Sequence, residues 1–235
     1  MTLRSALSSP DAKAPYVRRL FHTIADRYDL ITVLLSYGND RRWKQRLVSM
    51  AHATPGDSAL DLACGTGDIT YALQDAGART VGLDITPRMV ELARAKRSTA
   101  TPAFLVGDMM ALPFANATFD VVTTGYGIRN VPLLDRTLAE IARVLRPGGV
   151  LLSLDFDRPQ NAFVRGIYLS YLTVVGSIVG LALHGDADTY RYIPESIKRY
   201  PGAAAVCRMA EAQGFSACEA TGVLGGLMAI HRAVK

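Results

Sequence analysis

Short apolar runs alternate with amphipathic stretches between residues 58 and 156. The apolar runs predict strands, and apolar positions at helical spacing predict helices between them. We predict strands over 58–63, 79–84, 103–106, 119–124 and 149–156, and helices over 69–76, 87–97 and 133–145. Strands that alternate with helices form βαβ units, which build a parallel sheet with helices on both faces.

The segments on either side of this core also have periodic patterns. They predict helices over 16–26, 41–50, 190–197 and 202–213, and strands over 215–221 and 226–233. We expect the last two strands to form a hairpin that completes the sheet.

Residues 166–183 form an apolar stretch of 18 residues without a charge, which is long enough for a transmembrane helix. The stretch follows the fifth strand directly, so a membrane span would place two parts of one sheet on opposite sides of a bilayer. We therefore expect no span. Two compatible interpretations stay open: a pair of buried core helices, and a lid whose apolar inner face covers an apolar substrate and touches the membrane.

The 235 residues are expected to form one domain. Residues 1–15 contain Ser, Ala and Pro but lack the apolar core of a signal peptide, and they predict a disordered tail. The remaining parts are an N-terminal helical cap, a ligand-binding core, a helical lid insertion and a C-terminal helix with a strand hairpin, over 16–52, 53–156, 157–200 and 201–235.

A glycine turn follows the first core strand, between Asp61 and Asp68. Gly65 and Gly67 permit unusual backbone torsions and a close approach by a ligand, and the next helix presents its amino end. The third glycine of a dinucleotide fingerprint is absent, and no Lys-Ser/Thr pair follows for a triphosphate. An adenosine ligand without phosphates fits better, and S-adenosylmethionine (SAM) is the common one.

Acidic residues end the next two strands. Asp84 lies 17 positions after Gly67, where a carboxylate can accept hydrogen bonds from both ribose hydroxyls. Asp108 ends the third strand and is placed to accept a hydrogen bond from the adenine amino group. One such acid would be explained as a helix cap, but acids at three successive strand ends favour the SAM site.

Several motifs are typical of class I SAM-dependent methyltransferases. These are Asp61–Asp68, Ala111–Phe114 with Phe119–Asp120, and Arg143–Gly149. More specific motifs resemble the UbiE/MenG/COQ5 family from about Phe21 onwards. They are Arg27–Leu30, Ser36–Gly38 with Arg42–Lys44, Gly125–Val131, Gly225–Leu227 and Ile230–Arg232.

This resemblance implies a Rossmann-like α/β fold with a mostly parallel seven-stranded sheet in the order 3-2-1-4-5-7-6. It also implies C-methylation of a polyprenylated quinol, with demethylmenaquinol or demethylphylloquinol as the expected substrate. The ubiquinone pathway and other lipid or phenolic substrates are the alternatives. The implied SAM-binding residues are Asp61, Gly65, Thr66, Gly67, Asp84, Ile85, Asp108, Met109 and Gly125, and the implied substrate-binding residues are Tyr28, Tyr126 and Asn130.

Arg129 is the predicted catalytic residue. The loop after the fourth strand faces the methyl group in this fold, and carbon methylation of a quinol requires an electron-rich, phenolate-like ring. Arg129 stays protonated, so it would stabilise the phenolate or order a water that accepts the proton. The alternative is an arginine that ties the loop to an acid. Further candidates for the base are His22, Asp26, Tyr28 and His184, whereas His231 is expected to be structural.

The net charge of +5 is concentrated in the N-terminal part of the chain. A solvated helix face, a nucleic-acid surface and an anionic membrane surface would all explain it. Trp43 alone does not supply the stacking aromatics of a nucleic-acid site, so we expect no nucleic-acid partner. The three cysteines show neither a disulfide framework nor metal-ligand spacing. We expect a cytoplasmic, metal-free enzyme, and leave open a homodimer and peripheral contact with the inner face of the membrane.

Overall fold

The structure is a computed structural model that describes residues 3, 7, 9–36, 38–97 and 102–235. Its centre is a seven-stranded sheet in the order β3-β2-β1-β4-β5-β7-β6. The strands are Ser58–Leu62 (β1), Arg79–Asp84 (β2), Ala103–Val106 (β3), Phe119–Gly125 (β4), Leu145–Phe156 (β5), Ala217–Val223 (β6) and Met228–Val234 (β7).

Helices cover both faces of the sheet and one end of it. They are Pro10–Ile24 (α1), Tyr28–Leu35 (α2), Asp40–Ala51 (α3), Asp68–Asp75 (α4), Pro87–Ala95 (α5), Leu134–Val144 (α6), Ala162–His184 (α7), Tyr192–Arg199 (α8) and Ala203–Ala212 (α9). Short 3₁₀ turns lie at Ala25–Arg27, Ile128–Asn130 and Leu224–Gly226.

Strands β1 to β5 pair in parallel, and β7 runs antiparallel between β5 and β6. The predicted Rossmann-like fold, its strand order and the closing β6–β7 hairpin are therefore confirmed. Because the parallel strands all point the same way, their carboxyl ends lie along one edge of the sheet, and the residues of the predicted site meet there.

The apolar core lies on both faces of the sheet because successive residues of a strand point to opposite sides. In β5, Leu151 packs with Leu138 and Ile141 of α6 on one face. Its neighbour Leu152 packs with Leu47 of α3 and Leu73 of α4 on the other. Burial of each of these leucines contributes about 1.5–3 kcal/mol, so both layers of helices hold the sheet in place.

The first helix begins earlier than the sequence pattern predicts. Ser9 caps α1 by accepting a hydrogen bond from the Ala12 amide, and Pro10 occupies the first turn, a position that suits proline. The predicted disordered tail is therefore wrong for residues 10–15, which are helical. Of its remaining positions, 1, 2, 4–6 and 8 lie outside the described residues.

The apolar stretch forms one helix of 23 residues, α7, rather than a buried pair. Asn161 caps its amino end, and Gly185 ends it in a left-handed conformation. By length and composition α7 could cross a membrane. Only 22% of its apolar window is buried within the protein. The expectation of a buried helix pair is wrong, because most of α7 lies on the surface.

The expectation that the cysteines form no disulfide is also wrong. Cys207 on α9 and Cys218 on β6 form a disulfide, with their Cα atoms 5.1 Å apart. They are 11 residues apart in the chain, and α9 packs back onto the strand that follows it. The cysteines therefore no longer support the expected cytoplasmic location.

Candidate functional site

The glycine turn after β1 has a left-handed backbone at three positions. Ala63, Gly65 and Gly67 have φ values of +50°, +54° and +86°. Glycine adopts this conformation at no steric cost, whereas Ala63 is strained, as residues at functional sites often are. A Cβ at Gly67 would lie only 3.0 Å from the Phe104 ring, so packing also requires glycine there.

Asp84 joins this turn to the end of β2. Its Oδ2 accepts a hydrogen bond from the Gly65 amide at 2.9 Å, and its Oδ1 accepts one from the Thr86 amide at 2.8 Å. Burial raises the pKa of its carboxyl. Each carboxylate oxygen has a second lone pair, so Asp84 can still accept two hydroxyl groups of a ligand.

A cavity lies directly above the carboxyl ends of β1, β2 and β4, and we call it the strand-end cavity. The space not filled by protein in this cavity and its mouth is roughly 710 Å³. α1 covers it with Ala14, Val17 and Phe21. Nine predicted site residues line it: Tyr28, Gly65, Asp84, Ile85, Asp108, Met109, Gly125, Tyr126 and Asn130.

The other predicted SAM-binding residues lie beside this cavity. Asp61 and Thr66 line a small recess that shares Tyr28, Ala63, Gly125 and Tyr126 with the strand-end cavity. Gly67 lies in neither wall. Asp61 accepts hydrogen bonds from the Thr70 and Thr123 hydroxyls at 2.6 and 2.9 Å, and burial raises its pKa to about 7.

The recess also contains a cation that the sequence analysis did not assign to the site. The Lys44 ammonium lies 2.7 Å from Asp40 and 2.9 Å from Asp68. Burial lowers the pKa of Lys44, but the two carboxylates outweigh this effect and leave it raised. The Arg42–Lys44 motif was the available signal, but sequence alone could not place it against a turn 24 residues away.

A second cavity lies between α1, α2, α7 and the segment before α8, and we call it the apolar cavity. It encloses roughly 990 Å³, including its mouth. Its walls share Phe21, Tyr28 and Tyr126 with the strand-end cavity. Most of its lining is aliphatic or aromatic, including Leu20, Ile24, Ile31, Leu35, Phe156, Tyr168, Leu172, Ile193 and Leu227.

The loop after β4 forms the boundary between the two cavities. Tyr126 has a left-handed backbone at φ +61° and donates a hydrogen bond from its hydroxyl to Asp40 at 2.8 Å. Its carbonyl accepts a hydrogen bond from the Asn130 side chain at 2.7 Å. A Cβ at Gly127 would collide with the Thr124 hydroxyl, so this tight loop requires glycine at 127.

Arg129 lines the apolar cavity from this loop. Its Nε donates a hydrogen bond to Asp155 Oδ1 at 3.0 Å, and its Nη1 donates to Asn130 and Ser196. Asp155 is fully buried, so the expected alternative, an arginine that ties the loop to an acid, describes a contact that is present. Among the described residues, Nη2 donates no hydrogen bond, which leaves one amine for a ligand.

The other candidates for the base separate into two pairs. His22 and Asp26 are exposed and line neither cavity, and Asp26 pairs with Arg88 at 2.6 Å. Tyr28 lines both cavities, and His184 Nε2 lies 2.9 Å from the Tyr190 hydroxyl in the apolar cavity wall.

This geometry suits a transfer between two ligands of different character. The strand-end cavity and its recess offer carboxylates and a lysine, whereas the apolar cavity offers hydrocarbon and aromatic surface with one guanidinium at the boundary. Within the described ranges, no group of three or more His, Cys, Asp or Glu side chains is arranged to hold a metal ion.

Comparison of the fold gives similar solved structures. A SAM-dependent methyltransferase from Thermotoga maritima, described as a possible histamine N-methyltransferase, has a TM-score of 0.68 at 18% identity and covers 93% of this chain and 99% of that one. Magnesium protoporphyrin IX methyltransferase from Synechocystis PCC 6803, solved with bound SAH, has a TM-score of 0.66 at 20% identity and covers 95% and 99%. At these identities the likeness shows the fold.

Sequence comparison goes further. "Ubiquinone/menaquinone biosynthesis C-methyltransferase UbiE" of Teredinibacter turnerae is 37% identical over 95% of this chain and 92% of that protein. The protein of the same name from Shewanella oneidensis is 35% identical over 96% and 92%. The model of the ubiE/COQ5 methyltransferase family matches residues 9–235. With the strand-end cavity and the sheet order, these matches show that this chain is a SAM-dependent methyltransferase and belongs to the ubiE/COQ5 methyltransferase family.

Proposed function

We propose that this protein transfers the methyl group of SAM to a ring carbon of a polyprenylated quinol, converting demethylmenaquinol to menaquinol or methylating demethylphylloquinol. The observation that carries the proposal is the apolar cavity beside the strand-end cavity. A prenyl tail needs a hydrocarbon-lined site, and the quinol ring must lie next to the methyl donor. The names of the relatives support the pathway, since they refer to ubiquinone and menaquinone biosynthesis.

SAM occupies the strand-end cavity in this proposal. Asp84 accepts the ribose hydroxyls, and Asp108, Ile85 and Met109 surround the adenine. The methionine end lies in the recess, where Lys44 faces its carboxylate and Asp61 its ammonium group. Lys96 bonds Asp68 and Asp29, and Asp29 accepts a hydrogen bond from Thr66, so α2 is fixed over this end of the ligand.

The protein's contribution to catalysis is position and charge. Methyl transfer from a sulfonium proceeds by in-line attack, and alignment of the two reactants supplies a large part of the rate effect. The ring carbon becomes nucleophilic when the neighbouring hydroxyl gives its proton to water. Arg129 Nη2 stabilises the resulting oxyanion from the boundary between the cavities, and Tyr126 and Asn130 hold the loop that carries it. Formation of the new C–C bond breaks the S–CH₃ bond and leaves S-adenosylhomocysteine, after which the ring C–H proton is lost to water.

The ubiquinone pathway is the second candidate, because the names of the relatives cover both quinones. The resemblance of the Gly125–Gly127 and Leu154–Phe156 motifs to the menaquinone and phylloquinone branch favours the naphthoquinol. The two substrates differ in the ring system that must fit against Tyr126, Tyr28 and Phe156.

The test is a methyl-transfer assay with labelled SAM and the two reduced, demethylated quinols, with products identified by mass spectrometry. We expect a product one methyl group heavier from the naphthoquinol. Asp84→Ala, which should lose SAM, provides the background rate. Intact SAM binding without methylation of the naphthoquinol would overturn this assignment, and methylation of the benzoquinol alone would replace it with the ubiquinone pathway.

A further inference from the structure

Two neighbouring helices expose an unusual number of large apolar side chains. On α7, Phe163, Ile167, Val174, Ile178 and Leu181 are 57–76% exposed. On α2, Leu30, Val33 and Leu34 are 50–51% exposed. Contiguous apolar surface of this kind marks a binding surface on a soluble domain. We call these eight side chains the α2–α7 face.

The exposed residues of α7 form a stripe along the helix. Val164, Ile167, Tyr171, Val174, Ile178 and Leu181 recur every three or four residues and so share one side. The opposite side carries Tyr168, Leu172, Gly176 and Gly180, which are buried. A Cβ at Gly180 would collide with the Asp186 carbonyl. One side of α7 is therefore packed against the protein between Tyr168 and Gly180, and the other is exposed.

The α2 surface meets α7 at the carboxyl end of α7. Arg27, just before α2, donates a hydrogen bond to the Leu183 carbonyl near the end of α7. Ile31 of α2 shares a hydrophobic cluster with Val179 and Leu183 of α7. The start of α2 therefore lies against the last turns of α7.

The apolar cavity reaches the surface at this face. Tyr171 is 39% exposed on the α7 stripe, and Leu224 is 42% exposed. Both also line the apolar cavity, and Ile31, Thr32 and Leu35 line it from α2. A long apolar ligand that leaves the cavity here would emerge among exposed apolar side chains.

Arginines flank α2 and α7 along the chain. Arg158 and Arg165 lie at the amino end of α7, Arg27 at its carboxyl end, and Arg41 and Arg42 in the first turn of α3. None of the five forms an ion pair with a described residue. α7 itself contains no acid. Acids near these elements have partners of their own: Asp26 pairs with Arg88, Asp29 with Lys96 and Asp188 with Arg191. Asp40 pairs with Lys44, and Asp157 accepts hydrogen bonds from the Arg158 and Ala203 amides. Asp186, after α7, accepts a hydrogen bond from the Thr189 hydroxyl.

We propose that the α2–α7 face docks on an anionic phospholipid bilayer, with α7 lying in the plane of the interface. An apolar stripe bordered by cations is the pattern of an interfacial helix, and basic residues near an anionic surface add to the attraction. A symmetric contact between two copies would bring the same arginines near one another, which is unfavourable. A transmembrane orientation of α7 would require its buried side to separate from the rest of the protein.

Docking in this orientation places the cavity opening at the lipid surface. The substrate then moves between bilayer and cavity without crossing water, a step that rests on the proposed quinol substrate. The binding of the α2–α7 face to lipid does not depend on the identity of the substrate.

The test measures co-sedimentation of the whole protein with vesicles of phosphatidylcholine alone or with about one-third phosphatidylglycerol. We expect binding to the anionic vesicles that weakens as salt is raised. The double variant Ile178→Glu, Leu181→Glu should lose roughly tenfold or more in partitioning. Leu133→Glu is the matched control, because Leu133 is 45% exposed away from the face. All three positions are on the surface, so unchanged thermal unfolding checks the folding of each variant.

The result that overturns the proposal is equal sedimentation of wild type and double variant, or no sedimentation of the wild type. A wild-type dimer in light scattering that becomes monomeric in the double variant, without vesicle binding, would assign the face to a second copy. Methylation of a water-soluble, short-tailed quinol separates docking from function. We expect the double variant to retain it and to lose activity on long-tailed quinol in vesicles. Vesicle binding without any methylation would support docking and reject the proposed substrate.

Discussion

Asp84 holds the glycine turn in place through its hydrogen bonds and also lines the strand-end cavity. We predict that Asp84→Ala weakens SAM binding, because hydrogen bonds to a charged group contribute about 1.5–3 kcal/mol each. Calorimetric titration with SAM measures the change. Asp75→Ala is the control, because Asp75 pairs with Arg97 on the outside of α4. Equal affinities for the two variants would refute the ribose contact.

Arg129 is predicted to act on the substrate oxygen. Arg129→Ala is an unsuitable test, because it leaves Asp155 buried without its partner, at a cost of about 3–5 kcal/mol. Arg129→Lys keeps the charge but loses the planar set of donors. We expect turnover to fall by roughly 10²–10³, by analogy with the loss of one oxyanion donor, with SAM affinity near normal.

The matched control for Arg129→Lys is Ser196→Ala, which removes one hydrogen-bond partner of the guanidinium and keeps the cation. Single-turnover rates, SAM affinity and thermal unfolding are compared for both variants. Near-normal turnover of the lysine variant would reduce Arg129 to its contact with Asp155.

His231 on β7 is predicted to limit stability in acid. It is 2% exposed, and burial lowers its pKa. Because the unfolded chain binds the proton more readily, the stability of the folded state is complete above about pH 6.5 and falls as the pH drops below that value. The slope of unfolding free energy against pH between 5 and 7 should be smaller in His231→Leu than in wild type.

His22→Gln is the control for this pH experiment, since it also removes one histidine but from an exposed position. Asp61, whose pKa is raised to about 7 by burial, contributes a slope of opposite sign in all three proteins and cancels in the comparison. Identical slopes for wild type and His231→Leu would contradict the prediction.

The sequence was sufficient to predict site residues that lie within one strand and the turn that follows it. Asp84 and Gly65 are fixed by local geometry, and both line the strand-end cavity. Lys44 and Asp155 were missed because their roles depend on partners elsewhere in the chain. Arg129 lies 26 positions from Asp155, and nothing in either local pattern indicates the pair.

The glycines of α7 differ in their surroundings, and this difference allows a test at the scale of one element. A Cβ at Gly166 would meet nothing within 4 Å, whereas at Gly176 it would lie 3.2 Å from the Tyr190 carbonyl oxygen. Gly166→Ala should stabilise the protein by about 0.5–1 kcal/mol. Gly180→Ala should destabilise it by about 1–3 kcal/mol, because α7 must move away from Asp186.

Urea unfolding of the two variants measures both changes. They lie in the same helix and add the same methyl group, so each controls for the helix propensity of the other. If Gly180→Ala were as stable as Gly166→Ala, the close contact of α7 with residues 186–190 would be wrong.

Elements of the parallel core were predictable because each has an apolar pattern bounded by turn residues. Arg79–Asp84 and Ala103–Val106 have the predicted bounds. α7 was harder, because an exposed apolar helix and a buried one have the same composition. The sequence of α7 is apolar on all sides, so its pattern could not show which side packs against Tyr190.

The whole molecule is predicted to work without a metal. The acids at the strand ends have other partners: Asp61 accepts hydrogen bonds from two threonine hydroxyls, and Asp84 accepts them from two backbone amides. Methyl transfer by the purified protein should therefore survive treatment with a chelator. Loss of activity that added magnesium restores would show that Asp84 and Asp108 bind a cation rather than SAM.

The position of β7 has a consequence for synthesis of the chain. β7 lies between β5 and β6 but is made after both, and β5 pairs with it from Val150 to Phe156. A ribosome adds about 5–20 residues per second, so roughly 4–16 s separate completion of β5 from that of β7. During this interval the edge of β5 is open to other strands. The unpaired edge of β5 exposes the nascent chain to aggregation until β7 is made. We therefore expect slower translation upstream of Met228 to lower the soluble yield.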